Sequence, residues 1–316
     1  MKFIFVSLSL ILVILLSGCT EDVIHIEETV TEEGFRDVLV IKDITTIPSS
    51  PLIPDVDVIL SFIVENEDEE KEAINVKVEL FDATGFKNEG GEVCNSAVKP
   101  CQPNQCSEDN LCKFLPGEQK LISFVLKAPT EDEIATLETD IELRFRVEYA
   151  FDGSLLYRTM VIDMEELKAR QRAGETVSLE IPKFLGSGPV QIDVELMGAP
   201  YIISGYSGTF LFRVKKVSSI GILKNSIIPE GNLRIEFPTD LGEVEAGSKF
   251  TCDSKDVCTN SEEIALYKGE SPNLYFKVSH IELVSDVPYQ SFEIKAEVDY
   301  IYELRDSIKV KVKPYI

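Results

Sequence analysis

Tryptophan is absent from these 316 residues, and there are only two histidines and four methionines. So small a histidine supply removes most routes to a nucleophile–base pair or a nitrogen-rich metal centre. His25 sits in a polar N-terminal stretch and reads as solvated; His280 follows a strand-like run from Leu274 to Ser279 and reads as structural. No G-x-S-x-G, H-E-x-x-H or phosphate-loop sequence occurs. Gly186-Ser187-Gly188, the nearest approach to a glycine cradle, is flanked by prolines and reads as a turn or linker. Basic residues are scarce too: 31 Lys and Arg against 55 Asp and Glu give a net charge of −24. A phosphate backbone or an anionic lipid surface needs the opposite balance, so nucleic acid is excluded as a partner. With so many acids, carboxylate pairs are inevitable and do not by themselves point to glycoside chemistry. No catalytic residue, metal site or cofactor is expected, and a secreted enzyme of unrecognised type is the least favoured reading.

Long hydrophobic runs are equally rare. The conspicuous one is Phe3 to Leu16, uncharged and preceded by Lys2. It suits the apolar part of an export signal and falls short of the ~20 residues that span a bilayer. Leu16-Ser17-Gly18-Cys19 follows at once. It resembles the lipobox of prokaryotic lipoproteins, in which the signal is cut before the cysteine and the sulfur carries a diacylglyceryl group. The resemblance implies a signal peptide over residues 1–18 and lipidation at Cys19. The alternative, an uncleaved N-terminal anchor helix, gives the same topology. Residues 19–36 are acidic and mostly polar and read as a tether.

There are seven cysteines. Setting Cys19 aside leaves six in two local groups: Cys94, Cys101, Cys106 and Cys112, then Cys252 and Cys258. An even count in clusters behind an export signal reads as disulfides. Cys252 with Cys258 closes a small loop, while the first four permit three pairings. Zinc is the rival for the first group, but no C-x2-C knuckle or nearby His is present. The stapled loop is either a brace or a recognition surface.

From Asp37 onward the pattern is short strands. Val58, Leu60, Phe62 and Val64 alternate with other residues, as do Ile74, Val76, Val78 and Leu80, and Ile141 to Tyr149. That period of two buries one face of a strand. Pro48-Ser-Ser-Pro51, Pro116-Gly117 and Asp152-Gly153 read as turns between the runs. The second half does the same at Phe210 to Val214, Leu233 to Phe237, Ile294 to Tyr300 and Ile308 to Val312. The halves also align. Arg146-Val147-Glu148-Tyr149 matches Glu297-Val298-Asp299-Tyr300 at an offset of 151, and in each half a cysteine loop precedes a Gly-Glu turn. This register argues for duplication. Between the halves Asp163 caps a helix that Gly174 ends, with Lys168, Arg170 and Arg172 toward its C-terminus. The acidic run Glu65 to Glu72 reads as a solvated hairpin loop, with calcium as the lesser alternative because D-x-D-x-D-G spacing is missing.

The runs Leu39 to Pro48, Ile59 to Asn66, Asn75 to Leu80 and Leu115-Pro-Gly-Glu118 together resemble a CARDB-type module. Such modules are Ig-like sandwiches on bacterial and archaeal surface proteins, associated with adhesion and surface assembly. The resemblance covers residues 37–165 and is weaker over 176–316; the four-cysteine insertion departs from the usual pattern. It implies a fold and a setting, with no catalytic residues to carry over.

The expected architecture is therefore all-β: two tandem Ig-like antiparallel β-sandwiches joined by a short helix, preceded by an N-terminal signal or anchor segment. The boundaries are 37–162 for the first sandwich with its four-Cys loop, 163–175 for the connector helix and 176–316 for the second sandwich. The expected role is a non-enzymatic binding or structural protein on the extracytoplasmic face of the cell membrane. It is held there by lipid or anchor helix, and its partner is an envelope protein or glycan. The alternative is an accessory extracytoplasmic subunit of a membrane complex.

Overall fold

The strand patterns resolve into an antiparallel β protein whose sheets pack as sandwiches. The computed structural model describes residues 37–88, 93–95, 100–134, 138–174, 183–254, 256–283 and 287–314, with backbone alone at 94 and 95. The expected signal, Cys19, His25 and the tether lie outside the described residues, as does the side chain of Cys94.

In the first half β1 (Leu39–Ile47), β2 (Asp57–Asn66), β3 (Ala73–Asn88), β4 (Cys112–Phe114), β5 (Gln119–Lys127) and β6 (Thr139–Ile162) follow one another. Helix α1 (Met164–Arg172) comes next, its N-terminus capped by Asp163, whose carboxylate accepts from the amides of Glu165 and Glu166. Gly174 ends it in the left-handed region at φ 74°. The second half supplies β7 (Val190–Leu196), β8 (Gly208–Lys216), β9 (Ile222–Leu223), β10 (Leu233–Glu236), β11 (Glu243–Ala246), β12 (Phe250–Cys252), β13 (Val257–Asn260), β14 (Leu274–Ser279) and β15 (Tyr289–Val312).

β6 and β15 are the spine. They pair antiparallel without a break from Thr139↔Val312 to Ile162↔Tyr289, a ladder of 24 residues on each strand. The main sheet runs β1-β2-β5-β3-β6-β15-β10-β13-β12, so one hydrogen-bonded sheet passes through both halves. A second sheet, β11-β14-β8-β7, belongs to the second half alone. The odd residues of β6 from Leu143 to Val161 are buried, as are the even residues of β15 from Phe292 to Leu304. Those positions share one face of the ribbon. Strands β1, β2 and β5 cover that face at one end, where Phe62 of β2 stacks on Phe145 of β6 with centroids 4.1 Å apart. At the other end β8 covers it, and Phe210 meets Tyr157 edge-on at 6.3 Å; within the covering sheet Phe212 meets Phe276 at 5.4 Å.

Three local expectations need correction. Asp152-Gly153 is not a turn; both residues lie in the middle of β6, with Gly153 opposite Val298. A Cβ at Gly153 would stand 2.6 Å from the carbonyl oxygen of Val190, so this glycine serves the close approach of β7. Ile74 is exposed while Ala73, Val76 and Val78 are buried. The register of β3 on β6 shifts between Ile74 and Lys77, and Asn75 at φ 54° makes the irregularity that flips Ile74 outward. The acidic run after β2 is not a hairpin, since β2 pairs with β1 and β5 while β3 pairs with β6. It connects two strands that do not pair with each other, and it is anchored by buried Asn66, whose amide donates to the carbonyls of Lys71, Phe114 and Leu115.

Candidate functional site

The ladder has a local dyad. Residues 151 apart exchange places across it, and the exchange is centred on the pair Ala150↔Ile301. On the core side the dyad carries four aromatic rings: Tyr149 and Phe151 of β6, with Tyr302 and Tyr300 directly opposite. All four contacts among them are edge-on, at centroid distances of 5.8 to 6.5 Å. The hydroxyls of Tyr149, Tyr300 and Tyr302 are buried and have no hydrogen-bond partner among the described residues. Burial pushes the Tyr302 phenol up to about 12 and raises those of Tyr149 and Tyr300 well above the ordinary value.

Asp37 stands at the rim of this cluster. It is only 5% exposed, and neither carboxylate oxygen has a partner among the described residues. Burial raises its pKa above the ordinary carboxylate value, against the pull of the neighbouring Ser218 hydroxyl, the Lys216 ammonium and the Tyr302 hydroxyl. Lys216 gives its ammonium instead to the carbonyls of Ser218 and Gly221, each at 2.7 Å. A cleft of about 410 Å³ lies beside the residue, between the halves, while both carboxylate oxygens are sealed from solvent. Val40 and Glu67 line it from the first half, and Val217 to Ile220 from the loop between β8 and β9. Its walls are held by backbone bonds: Glu67 N to Val38 O at 2.8 Å, and Val217 N to Pro189 O at 2.8 Å.

The opposite, polar face of the dyad carries an ion network. Glu148 and Glu303 face each other across the ladder, and so do Asp152 and Asp299, the pair related to them by the dyad. Like charges directly opposed are unfavourable unless neutralised. Around the first pair, Lys224 reaches Glu148 at 2.7 Å and Arg305 bonds Glu303. Arg146 lies 3.6 Å from Glu148 and 4.0 Å from Glu303. Arg146 also holds Glu79 at 2.6 Å, and Lys77 holds the same carboxylate at 2.7 Å. Burial alone would raise the Glu79 pKa; the bonds to Lys77 and Arg146 outweigh it and hold the carboxyl below its usual range. The Phe81 ring lies 5.7 Å from both the Arg146 and Arg305 guanidinium carbons. At the second pair Lys71 meets Asp152 at 2.5 Å.

The cysteine loop braces the first half. Cys106 is bonded to Cys112 and Cys252 to Cys258, and Cys101 is disulfide-bonded as well. The Cys106–Cys112 bond excludes the two pairings that separate these residues. The loop closes the gap between β3 and β5. Cys101 exchanges both backbone bonds with Leu80 at 3.1 Å, and Val78 N donates to Cys106 O at 2.7 Å. On the other side Asn104 N donates to Ser123 O at 2.9 Å, and Ser123 N donates back to the Asn104 side chain at 3.1 Å. Cys252 and Cys258 sit directly opposite each other on the β12–β13 edge hairpin.

Among the described residues no group of three His, Cys, Asp or Glu side chains is placed to hold a metal ion, and no helix is long and apolar enough to cross a membrane. His280 is exposed, 3.8 Å from Glu243. Neither the Asp37 cleft nor the network around Glu79 was singled out from sequence. A lone acid at a strand start and acids alternating along strands look the same whether they end up buried or wet.

No family model and no curated protein matches the chain. Among solved structures, the chain is similar to the C-terminal domain of the Streptococcus pyogenes antigen I/II-family protein AspA, at 10% identity over 89% of this chain and 100% of that one, with a TM-score of 0.14. It is also similar to the collagen adhesin CNA from S. aureus, at 8% identity over 89% of this chain and 95% of that one, with a TM-score of 0.11. Neither superposition is close enough to carry an argument.

Proposed function

We propose that the chain is a membrane-anchored, extracytoplasmic, non-enzymatic binding or structural protein, a module of cell-surface adhesion or envelope assembly. The observation that supports this most is the β6–β15 ladder. At ~3.3 Å per residue its strands extend about 80 Å, and the shared sheet makes two sandwiches one stiff body. Such a body suits a spacer or platform that holds a binding surface away from a membrane. The disulfides fit the same setting, because they persist in oxidising compartments. The likeness of residues 37–165 to CARDB-type modules points the same way.

One observation favours the accessory-subunit reading as a variant. Asp37, the first described residue, is among those that line the cleft. An 18-residue tether over 19–36 reaches at most about 65 Å when fully extended. A partner at that cleft is then close to the membrane.

Crosslinking on intact cells, followed by purification of this chain, tests the proposal. A protein partner, or surface glycan, recovered with the chain is the expected result. Recovery of the chain from the cytosol, or of a turned-over substrate with it, would overturn it. Cys19→Ala tests the anchor: release from membranes is expected, and retention points to an anchor helix.

A further inference from the structure

Strands β2 and β5 carry more apolar residues than one buried face needs. Val58-Ile-Leu-Ser-Phe-Ile-Val64 and Leu121-Ile-Ser-Phe-Val-Leu126 are each interrupted by a single serine. A strand that is wet on one face alternates, whereas a near-continuous apolar run marks a strand covered on both. The even residues, from Val58 to Val64 and from Ile122 to Leu126, face the core and are buried. The odd residues face outward, and pairing with β1 sets them in three rows: Lys42, Ile63 and Leu121; Thr45, Ser61 and Ser123; Ile47, Ile59 and Val125. Ile47, Leu121, Val125 and Ile59 are 63%, 58%, 43% and 41% exposed. The middle row is small and hydroxylic, with the Thr45 and Ser61 oxygens 3.1 Å apart. An apolar ridge therefore stands on each side of a polar trough. Charges flank the ridges: Lys42 holds Glu65 at 2.8 Å beyond one of them, and Asp57 lies opposite Lys127 beyond the other.

We propose that this face packs on the same face of a second copy of the chain, about a two-fold axis that runs along the middle row. The axis sets the Ile47 row of one copy over the Ile63–Leu121 row of the other, and hydroxyls over hydroxyls, where water can bridge them. A two-fold contact has to be self-complementary, and this face is so in shape and in charge. Lys42 and Lys127 balance Asp57 and Glu65 on it, in a chain with 31 basic and 55 acidic residues. A basic partner drawn by the acidic surface would call for an unbalanced, acidic face instead. The axis also exchanges the two ends, so Lys127 of one copy comes over Gln119 and beside Glu65 of the other. Three strands ~4.8 Å apart and nine residues long at ~3.4 Å each give roughly 440 Å² of flat face per copy. Two copies together fall short of the ~1,200 Å² of a stable interface, so the dimer is a weak one. Copies held in the plane of a membrane would be concentrated enough to use it. The inference goes beyond the surface role proposed above and does not depend on it, since the contact forms between copies in solution as well.

Sedimentation equilibrium of the full-length chain, in a detergent matched to the density of the solvent, tests the pairing. A reversible monomer–dimer equilibrium with a Kd in the micromolar range or above is expected. Ile59→Lys and Leu121→Lys are each expected to raise Kd about tenfold or more. Both side chains are exposed, so the melting temperature is expected to stay where it is. Tyr267→Lys, at an exposed tyrosine of the second half, is the control for added positive charge and is expected to leave Kd unchanged. Gln119→Glu gives Lys127 of the other copy an acid to meet, and is expected to tighten the dimer about twofold or more although it adds negative charge to an acidic protein. A chain that stays monomeric at ~1 mM, dimers that Ile59→Lys and Leu121→Lys leave intact, or loosening by Gln119→Glu would overturn the inference.

Discussion

Tyr149 and Tyr302 lie directly opposite each other at the middle of the long ladder, one from each half, with rings edge-on at 5.8 Å. With Phe151 and Tyr300 they make the core continuous where two sandwiches would otherwise meet as separate beads. Their large rings and their hydroxyls pull in opposite directions. A buried hydroxyl without a partner contributes nothing favourable, whereas the ring fills volume. Tyr300→Phe is therefore expected to leave stability unchanged or raise it slightly, and Tyr300→Ala to lower it by ~3–5 kcal/mol. Urea unfolding of the two variants checks the contrast.

The shared sheet also predicts how the protein melts. Strands β6 and β15 draw their buried residues from both sandwiches, so loosening one end exposes the other. Gly153→Ala drives a Cβ toward the Val190 carbonyl, now 2.6 Å from where it would sit. It is expected to cost ~1–3 kcal/mol and to move one cooperative transition as a whole. Calorimetry showing two separate transitions, with only one displaced, would contradict a fused body.

Much of this was legible in the sequence, for a definite reason. Alternation such as Val58 to Val64, or Ile294 to Tyr300, marks which face of a strand is buried, and those residues are buried. The same period is silent about which strand pairs with which, so nothing in Arg146 to Tyr149 reveals Tyr302 to Arg305 beside it. Glycine serves both turns and close approaches within strands, and the pair Asp152-Gly153 carries the signature of the first while the fold uses it for the second. The internal repeat held the missing clue, because the matched segments around Tyr149 and Tyr300 turn out to flank the dyad. Asp37 carried no signal, since its burial is decided by a loop about 180 residues away in sequence at Ser218.

Asp37 gives a pH prediction with a definite sign. Its folded-state pKa is raised, so in the window between its ordinary and its raised value the folded chain holds more protons than the unfolded one. Stability attributable to Asp37 therefore falls as pH rises through that window. Lys216, Ser218 and Tyr302 face the group and moderate the effect. Asp37→Asn has no such term. It is expected to match the native chain below the ordinary carboxylate range and to exceed it by ~1–3 kcal/mol at neutral pH. Unfolding midpoints of both proteins across acidic and neutral buffers decide the matter; a constant offset would show that Asp37 does not titrate as described.

Glu79 carries the opposite sign. Its pKa is lowered in the folded state, so its contribution is present above the unfolded value and is lost as pH falls through the folded one. With Glu79 only 2% exposed, removing the carboxylate leaves Arg146 and Lys77 short of a partner on the seam. Glu79→Leu is expected to cost ~3–5 kcal/mol, and the double variant Glu79→Leu with Arg146→Leu to recover much of it, because an apolar pair of similar size replaces an ion pair with little loss. A double variant no better than the single one would mean that the network is held by Lys77 and not by Arg146.

The bonds of the stapled loop make it a substitute strand between β3 and β5. Asn104 supplies Ser123 with both a donor and an acceptor, Cys101 does the same for Leu80, and Cys106 accepts from Val78. Cutting Cys106–Cys112 is expected to cost ~2–3 kcal/mol from loop entropy in the unfolded chain. The local consequence is more telling than the global one. Without the staple the segment from Cys101 to Cys112 loses its hold on β3 and β5, and the amides of Leu80 and Ser123 are left to solvent. Hydrogen exchange on Cys106→Ala/Cys112→Ala is expected to show faster exchange at Leu80, Val78 and Ser123, with β15 unchanged. If those amides stay protected, the loop's own backbone bonds suffice to brace the sandwich. The disulfide is then free to serve the exposed tip, where Leu111 is 49% accessible.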